Sequence, residues 1–169
     1  ENVFVFGHAG DDLFISDDTS TELTVFGDAG DDRFFIGNVL STTTAISDAT
    51  GLVEVVDEIT NGVSFQATFD GGAGDDYFEV NHNVAEISLF GRAGDDIFFI
   101  NAHITTEPSS DVNVHSAAGE RDVISYVKNA PVNIFGGEGI DTLVIVGTVL
   151  DDVFTVFTVS AGGREGQAS

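Results

Sequence analysis

One eight-residue pattern constrains what this chain can fold into. Gly7-His8-Ala9-Gly10-Asp11-Asp12-Leu13-Phe14 returns as Gly27-Asp28-Ala29-Gly30-Asp31-Asp32-Arg33-Phe34, as Gly71-Gly72-Ala73-Gly74-Asp75-Asp76-Tyr77-Phe78 and as Gly91-Arg92-Ala93-Gly94-Asp95-Asp96-Ile97-Phe98. A fifth copy, Gly136-Gly137-Glu138-Gly139-Ile140-Asp141-Thr142-Leu143, keeps the glycines and the second aspartate. Two copies are worn: Ser116 to Val123 puts Arg121 where the key aspartate would fall, and Gly147 to Phe154 keeps Asp151-Asp152 but loses the second glycine. The starts at 7, 27, 71, 91, 116 and 136 are separated by 20, 44, 20, 25 and 20 residues. A repeat of this kind builds a stack of like units, each in contact with its neighbours. The gap of 44 accommodates two readings. It holds either two units, with Ser47-Asp48-Ala49-Thr50-Gly51 as an eroded turn, or one irregular unit with an insertion across 37–70, where Asn61-Gly62 is a hairpin turn.

Between the turns, short runs such as Phe34-Phe35-Ile36, Glu22-Leu23-Thr24-Val25-Phe26 and Glu86-Ile87-Ser88-Leu89-Phe90 alternate with period two and are rich in aromatic and β-branched residues. That is the signature of half-buried strands, and no stretch keeps the 3.6 period of a long amphipathic helix. The expected fold is all-β: a solenoid whose coils, about twenty residues long, each hold two short parallel strands and two turns. Residues 1–160 form the repeat domain in this reading, and 161–169 a flexible tail. Phe14, Phe34, Phe78, Phe98, Leu143 and Phe154 share one position in the unit and are expected to stack inside. Phe6, Phe26, Phe69, Phe90 and Phe135 are expected to form a second interior column just before the turn.

The unit Gly-x-x-Gly-x-Asp-x-hydrophobic resembles the haemolysin-type (RTX) nonapeptide, Gly-Gly-x-Gly-x-Asp-x-hydrophobic-x. The copies at 71–79 and 136–144 match it in full, and those at 7, 27 and 91 lack only the second glycine. The resemblance covers most of the chain and implies a parallel β-roll whose turns bind calcium. The family's ordinary coil carries a motif at both edges. Here the opposite turns read Ser16-Asp17-Asp18, Asn81-His82-Asn83 and Lys128-Asn129-Ala130-Pro131, so calcium is expected mainly along one edge. Such longer coils are similar to those of very large bacterial surface and secreted proteins.

The chemistry of the turns supports the same ion. Calcium takes six to eight oxygens at about 2.3–2.6 Å. Glycines admit positive φ and let carbonyls turn inward, and one turn supplies too few oxygens, so each ion would bridge two coils. The candidate carboxylate ligands are Asp12, Asp32, Asp76, Asp96 and Asp141, with Asp152 the weakest of the set. The candidate carbonyl ligands are Gly7, Ala9, Gly27, Ala29, Gly71, Ala73, Gly91 and Ala93. Asp11, Asp31, Asp75 and Asp95 are expected to point outward, and Arg121 to replace an ion by pairing with Asp96 or Asp141. Plain Asp/Gly turns without metal are the competing reading, and five copies in one register weigh against it.

Composition narrows the partners. With 29 acidic and 5 basic residues, a net charge of −24, the chain repels itself unless cations neutralise it. Nucleic acid and anionic membrane surfaces both require a basic face and are excluded as partners. No apolar stretch is long enough for membrane insertion by a helix, and no cysteine offers a thiolate or disulfide. Histidines 8, 82, 103 and 115 lack zinc spacing, and the glycine turns have neither the lysine nor the helix of a P-loop. Arg33 and Arg92 are the only in-phase basic residues that a sugar-cleaving solenoid would use, and the Thr42-Thr43-Thr44 run is not a regular threonine ladder. The chain is therefore expected to be no enzyme but a secreted or cell-surface structural or adhesive module that folds on binding calcium. Its expected partners are further repeats of a longer chain, or copies of itself stacked end to end through Val3-Phe4-Val5-Phe6 and Val153 to Val159, with a surface glycan or receptor as a further candidate. The alternative is the calcium-binding repeat domain of a secreted protease or polysaccharide-modifying enzyme. Glu1 enters a strand-like run directly, which reads as a mature product or a fragment.

Overall fold

The computed structural model describes residues 1–47, 51–106 and 124–157. In chain order, β1 (Asn2–Phe6) leads to β2 (Leu13–Ser16), and β3 (Glu22–Ala29) leads to β4 (Arg33–Ile36). A pair of nine-residue strands follows, β5 (Val39–Ser47) and β6 (Gly51–Ile59). The alternation then resumes with β7 (Ala67–Ala73), β8 (Tyr77–Val80), β9 (Ile87–Ala93) and β10 (Ile97–Asn101). Two short strands, β11 (Ile104–Thr106) and β12 (Ile124–Tyr126), precede β13 (Val132–Glu138) and β14 (Thr142–Val146). No helix occurs among the described residues.

Two parallel five-stranded sheets dominate, ordered β1-β3-β7-β9-β13 and β2-β4-β8-β10-β14. Each motif turn carries the chain from the first sheet to the second, so strand pairs stack as layers in sequence order. The all-β class and the parallel sheets follow the sequence expectation.

Burial follows the pleat. On the second sheet Phe14, Phe34, Phe78 and Phe98 are register partners and stack face to face at 4.9, 4.6 and 4.9 Å. Leu143 continues that column opposite Phe98, whereas Phe154 lies outside any strand and is half exposed. On the first sheet the buried row is Val25, Phe69 and Leu89, joined by Leu23, Ala67 and Ile87. Both rows meet in one core, where Phe34 and Phe69 touch edge to face across the sheets.

The second aromatic column does not lie inside. Phe6, Phe26, Phe90 and Phe135 each stand one residue before the first glycine of a turn, but Phe69 stands two before Gly71. One step along a strand changes the face. Phe69 is therefore in the core, and the others form a stripe on the outer surface, with Asp70 in the register place between Phe26 and Phe90. Arg92 fills the gap: its Nε lies 3.0 Å from both Asp70 carboxylate oxygens, and its guanidinium sits 4.8 Å above the Phe90 ring.

The 44-residue step contains one layer and a hairpin. β5 and β6 pair antiparallel, and at the root of the excursion the Thr60 amide donates to the Asn38 carbonyl at 2.9 Å. The two strands pair outward as far as Ser47 opposite Gly51, so the hairpin does not turn at Asn61-Gly62. Gly62 has φ +63° and is buried at the root, where a Cβ would lie 2.2 Å from the His82 carbonyl oxygen. The hairpin joins β11 and β12 in a third sheet, order β12-β11-β6-β5, over a small core of Ala45, Val53, Val55 and Ile104 with Leu150 against it. Likewise β13 pairs directly with β9, so turn 136–141 stacks on turn 91–96 without a layer between. The worn copy at 116–123 with Arg121, and the tail 161–169, lie outside the described residues.

Candidate metal centre

The five turns 7–12, 27–32, 71–76, 91–96 and 136–141 stack along one edge, because the strands on both sides of each turn pair in the same order. Their second aspartates form a row with one repeated contact. The Asp12 amide donates to Asp32 Oδ1 at 2.8 Å, Asp32 to Asp76 at 2.8 Å, Asp76 to Asp96 at 2.9 Å and Asp96 to Asp141 at 3.2 Å. Asp32, Asp76 and Asp96 are almost wholly buried, while Asp141 at the end of the row is exposed.

The other carboxylate oxygen, Oδ2, is the unusual one. In Asp12, Asp32, Asp76 and Asp96 it is buried without a hydrogen-bond donor. It lies over the Cα of the first glycine of its own turn, where a side chain would otherwise begin. A Cβ on Gly7, Gly27, Gly71, Gly91 or Gly136 would come within 2.5, 2.0, 2.0, 2.0 and 1.9 Å of the Oδ2 of Asp12, Asp32, Asp76, Asp96 and Asp141. At Gly7, Gly27 and Gly91 the same space also faces the carbonyl oxygen of the next layer's first glycine, Gly27, Gly71 and Gly136. The first glycine of the motif is thus required by the aspartate five residues on.

The rest of the turn is shaped by positive φ. Gly10, Gly30, Gly74, Gly94 and Gly139 have φ between +117° and +140°. The second motif position, two residues earlier, is also left-handed, with His8, Asp28 and Arg92 at φ 75°, 74° and 82° beside Gly72 and Gly137. This explains why a second glycine recurs there and why the sequence tolerates other residues at a cost of about 1–3 kcal/mol each.

Of the candidate carbonyl ligands, Ala29, Ala73 and Ala93 each accept one amide, from Gly10, Gly30 and Gly74, which leaves each a second lone pair. Asp152 is elsewhere. Its Oδ2 accepts the Thr148 amide of its own turn at 2.7 Å, and that turn sits by the third sheet, where the Tyr126 hydroxyl bonds the Asp151 carbonyl and Leu150 packs. It does not join the row.

The first aspartates do more than add negative field. Asp11, Asp31, Asp75 and Asp95 accept the amides of Asp31, Asp75, Asp95 and Ile140 at 3.0, 2.9, 2.9 and 2.8 Å. This exposed row donates toward the start of the stack, opposite in direction to the inner row. The opposed directions of the two rows were not legible in the motif, although the Asp-Asp pair shared by four of the five stacked turns was their trace.

Electrostatically the inner row is under load. Burial, followed by the neighbouring carboxylates, raises the Asp32 and Asp96 carboxyls above the usual range and carries Asp76 up to about 7. A hard cation among the Oδ2 atoms would supply the missing partner for each orphaned oxygen and reverse that preference for the neutral form. The donor set fits calcium: carboxylate and carbonyl oxygens, with neither nitrogen nor sulfur. Among the described residues no three acidic or histidine side chains converge, so any such cage draws chiefly on backbone oxygens.

No family model, curated protein or solved structure matches this chain.

Proposed function

We propose that the stacked layers are coils of a calcium-loaded β-solenoid of the RTX type, and that the chain is a structural or adhesive module of a secreted or cell-surface protein. The single observation that carries this reading is the line of buried, donorless Oδ2 atoms, each held over a glycine Cα. An unsatisfied buried acceptor costs about 1–3 kcal/mol, and more when charged, so a row of them is costly without a counter-ion. A cation joining a carboxylate of one coil to the glycine carbonyl of the next would turn that cost into a clip between coils.

The mechanism is coupled folding. Without the ion, the net charge of −24 and the buried carboxylates favour an expanded chain. With it, binding free energy becomes folding free energy, at the dissociation constants of about 10⁻⁴–10⁻³ M typical of extracellular calcium modules. The module is loose where calcium is scarce and stiff outside the cell. Far-UV circular dichroism through a calcium titration from chelator tests this directly: a β signal should grow cooperatively with the ion. A β spectrum of unchanged intensity in chelator would refute it.

A further inference from the structure

We propose that the outer face of the first sheet is a binding groove for an extended, uncharged glycan, laid along the stack across β3, β7 and β9. This deepens the adhesive reading above by naming what is held; it does not rest on the calcium of that reading.

Strand register builds the groove. β3, β7 and β9 are the three interior strands of that sheet, and every second side chain on them points outward. Thr24, Thr68 and Ser88 are register partners and form one outward row across three layers. One step of the pleat toward the start of the strands stand the longer Glu22, Gln66 and Glu86. One step toward the turns runs the stripe of Phe26, the Asp70–Arg92 pair and Phe90. Short hydroxyl residues between two taller rows leave a trough, and an open depression of about 320 Å³ lies over the hydroxyl and Glu/Gln rows. Small-ligand sites run from about 300 to 1,000 Å³, so the space is sufficient.

The unused hydrogen-bonding groups of the trough name the ligand. Among the described residues, the hydroxyls of Thr24, Thr68 and Ser88 and the Gln66 side-chain amide bond to no protein group. Glu86 gives one carboxylate oxygen to Asn133 and keeps the other. On the outer face of the second sheet the polar groups instead satisfy one another, Tyr77 bonding to Glu79 and Asn101 to Asn81, each at 2.9 Å. A hydroxyl donates and accepts, an amide does both at separate atoms, and a carboxylate accepts. Their complement is a ligand whose own groups do both, which is the chemistry of sugar hydroxyls. Charge removes the competitors. The lining holds two carboxylates and neither Lys nor Arg, so an acidic glycan or a nucleic acid is repelled. A cation would be drawn to any part of a chain carrying −24 and has no use for the hydroxyl row. Layers repeat at about 4.8 Å, close to the length of one sugar ring. An extended glycan lying across the strands therefore meets the same groups in each layer, and a coiled one does not.

The test is isothermal titration calorimetry of the whole chain in calcium chloride. The probes are cellohexaose and chitohexaose, which are neutral and extended, with maltohexaose as the coiled control and an oligogalacturonate as the acidic one. An extended sugar should bind and neither control should. Thr68→Val removes a hydroxyl while keeping the side chain's shape and strand preference, and should weaken binding about fivefold. Adding Thr24→Val and Ser88→Ala should bring the loss to about a hundredfold. If the triple variant fails to fold, Thr68→Lys decides, because its side chain fills the middle of the trough and should abolish binding. No binding by either extended hexasaccharide overturns the proposal, as does maltohexaose bound as tightly, or binding that survives in a folded triple variant. Self-association that these substitutions abolish would assign the face to a second copy, and overturns it too. Glycan binding by a chain whose β signal ignores chelator keeps the groove and removes the calcium reading, whereas calcium-coupled folding without glycan binding does the reverse.

Discussion

At each turn two residues that look like separate requirements of a motif are one requirement. The aspartate needs a place for its second oxygen, and the glycine five residues earlier provides it by having no Cβ. Gly27→Ala would drive a methyl against Asp32 Oδ2 and the Gly71 carbonyl, and should cost about 3 kcal/mol in calcium-loaded denaturation. Gly10→Ala meets no atom within 4 Å and suffers only its φ of +117°, so about 1 kcal/mol is expected. Asp76 offers a test by sign. Its folded carboxyl titrates near 7, above the ordinary 3.8, so the calcium-free chain holds its full stability contribution below about pH 4 and loses it as pH rises through 7. The β signal that remains in chelator should therefore be larger at about pH 5 than at about pH 8. Asp76→Asn should stabilise the calcium-free chain at neutral pH but raise the calcium midpoint about tenfold. A variant that weakens both states equally would mean that Asp76 only anchors the neighbouring amide.

The strands illustrate how parity places a side chain. Phe69 and Phe90 both precede a turn, yet the one-residue difference in their distance from it puts the first in the core and the second on the surface. The stripe thus created is closed at its weak point by Asp70 and Arg92. The hairpin is the other independent element. Because Asn38 and Thr60 are already bonded at its root, removing 39–59 and joining the two should leave the main core intact. The expected result is an unchanged calcium-coupled β signal, with loss of only the small cluster around Ala45 and Val55. Collapse of the β signal would show that the third sheet props up the layers. The stack, the interior phenylalanine column and the one-edge aspartate row were legible in the repeat, because each recurs in fixed phase. The hairpin and the direct contact of turns 91–96 and 136–141 were not, because spacing measures chain length and not the path between two turns.

For the molecule as a whole, the charge of −24 is distributed in two ways that respond differently to ions. Exposed carboxylates such as Asp11 and Asp31 are screened by any salt, since the Debye length falls to about 3 Å at 1 M. The buried Oδ2 atoms are not. In chelator, concentrated sodium chloride should recover little of the β signal that millimolar calcium is expected to restore. Magnesium should do no better, because it requires near-octahedral geometry at about 2.0–2.1 Å and sheds water reluctantly. Full recovery in sodium chloride would reduce the effect to general repulsion.

The amino-acid order alone settled the all-β class and the alignment of the aspartates in the recurring turns. These depend on local spacing, and a repeated spacing carries its geometry with it. The face occupied by Phe69, the opposed directions of the two aspartate rows, the position of Asp152 at the third sheet and the absence of a layer between turns 91–96 and 136–141 emerged only with the folded chain. Each depends on which strand lies beside which, and strand neighbours are chosen by packing across dozens of residues.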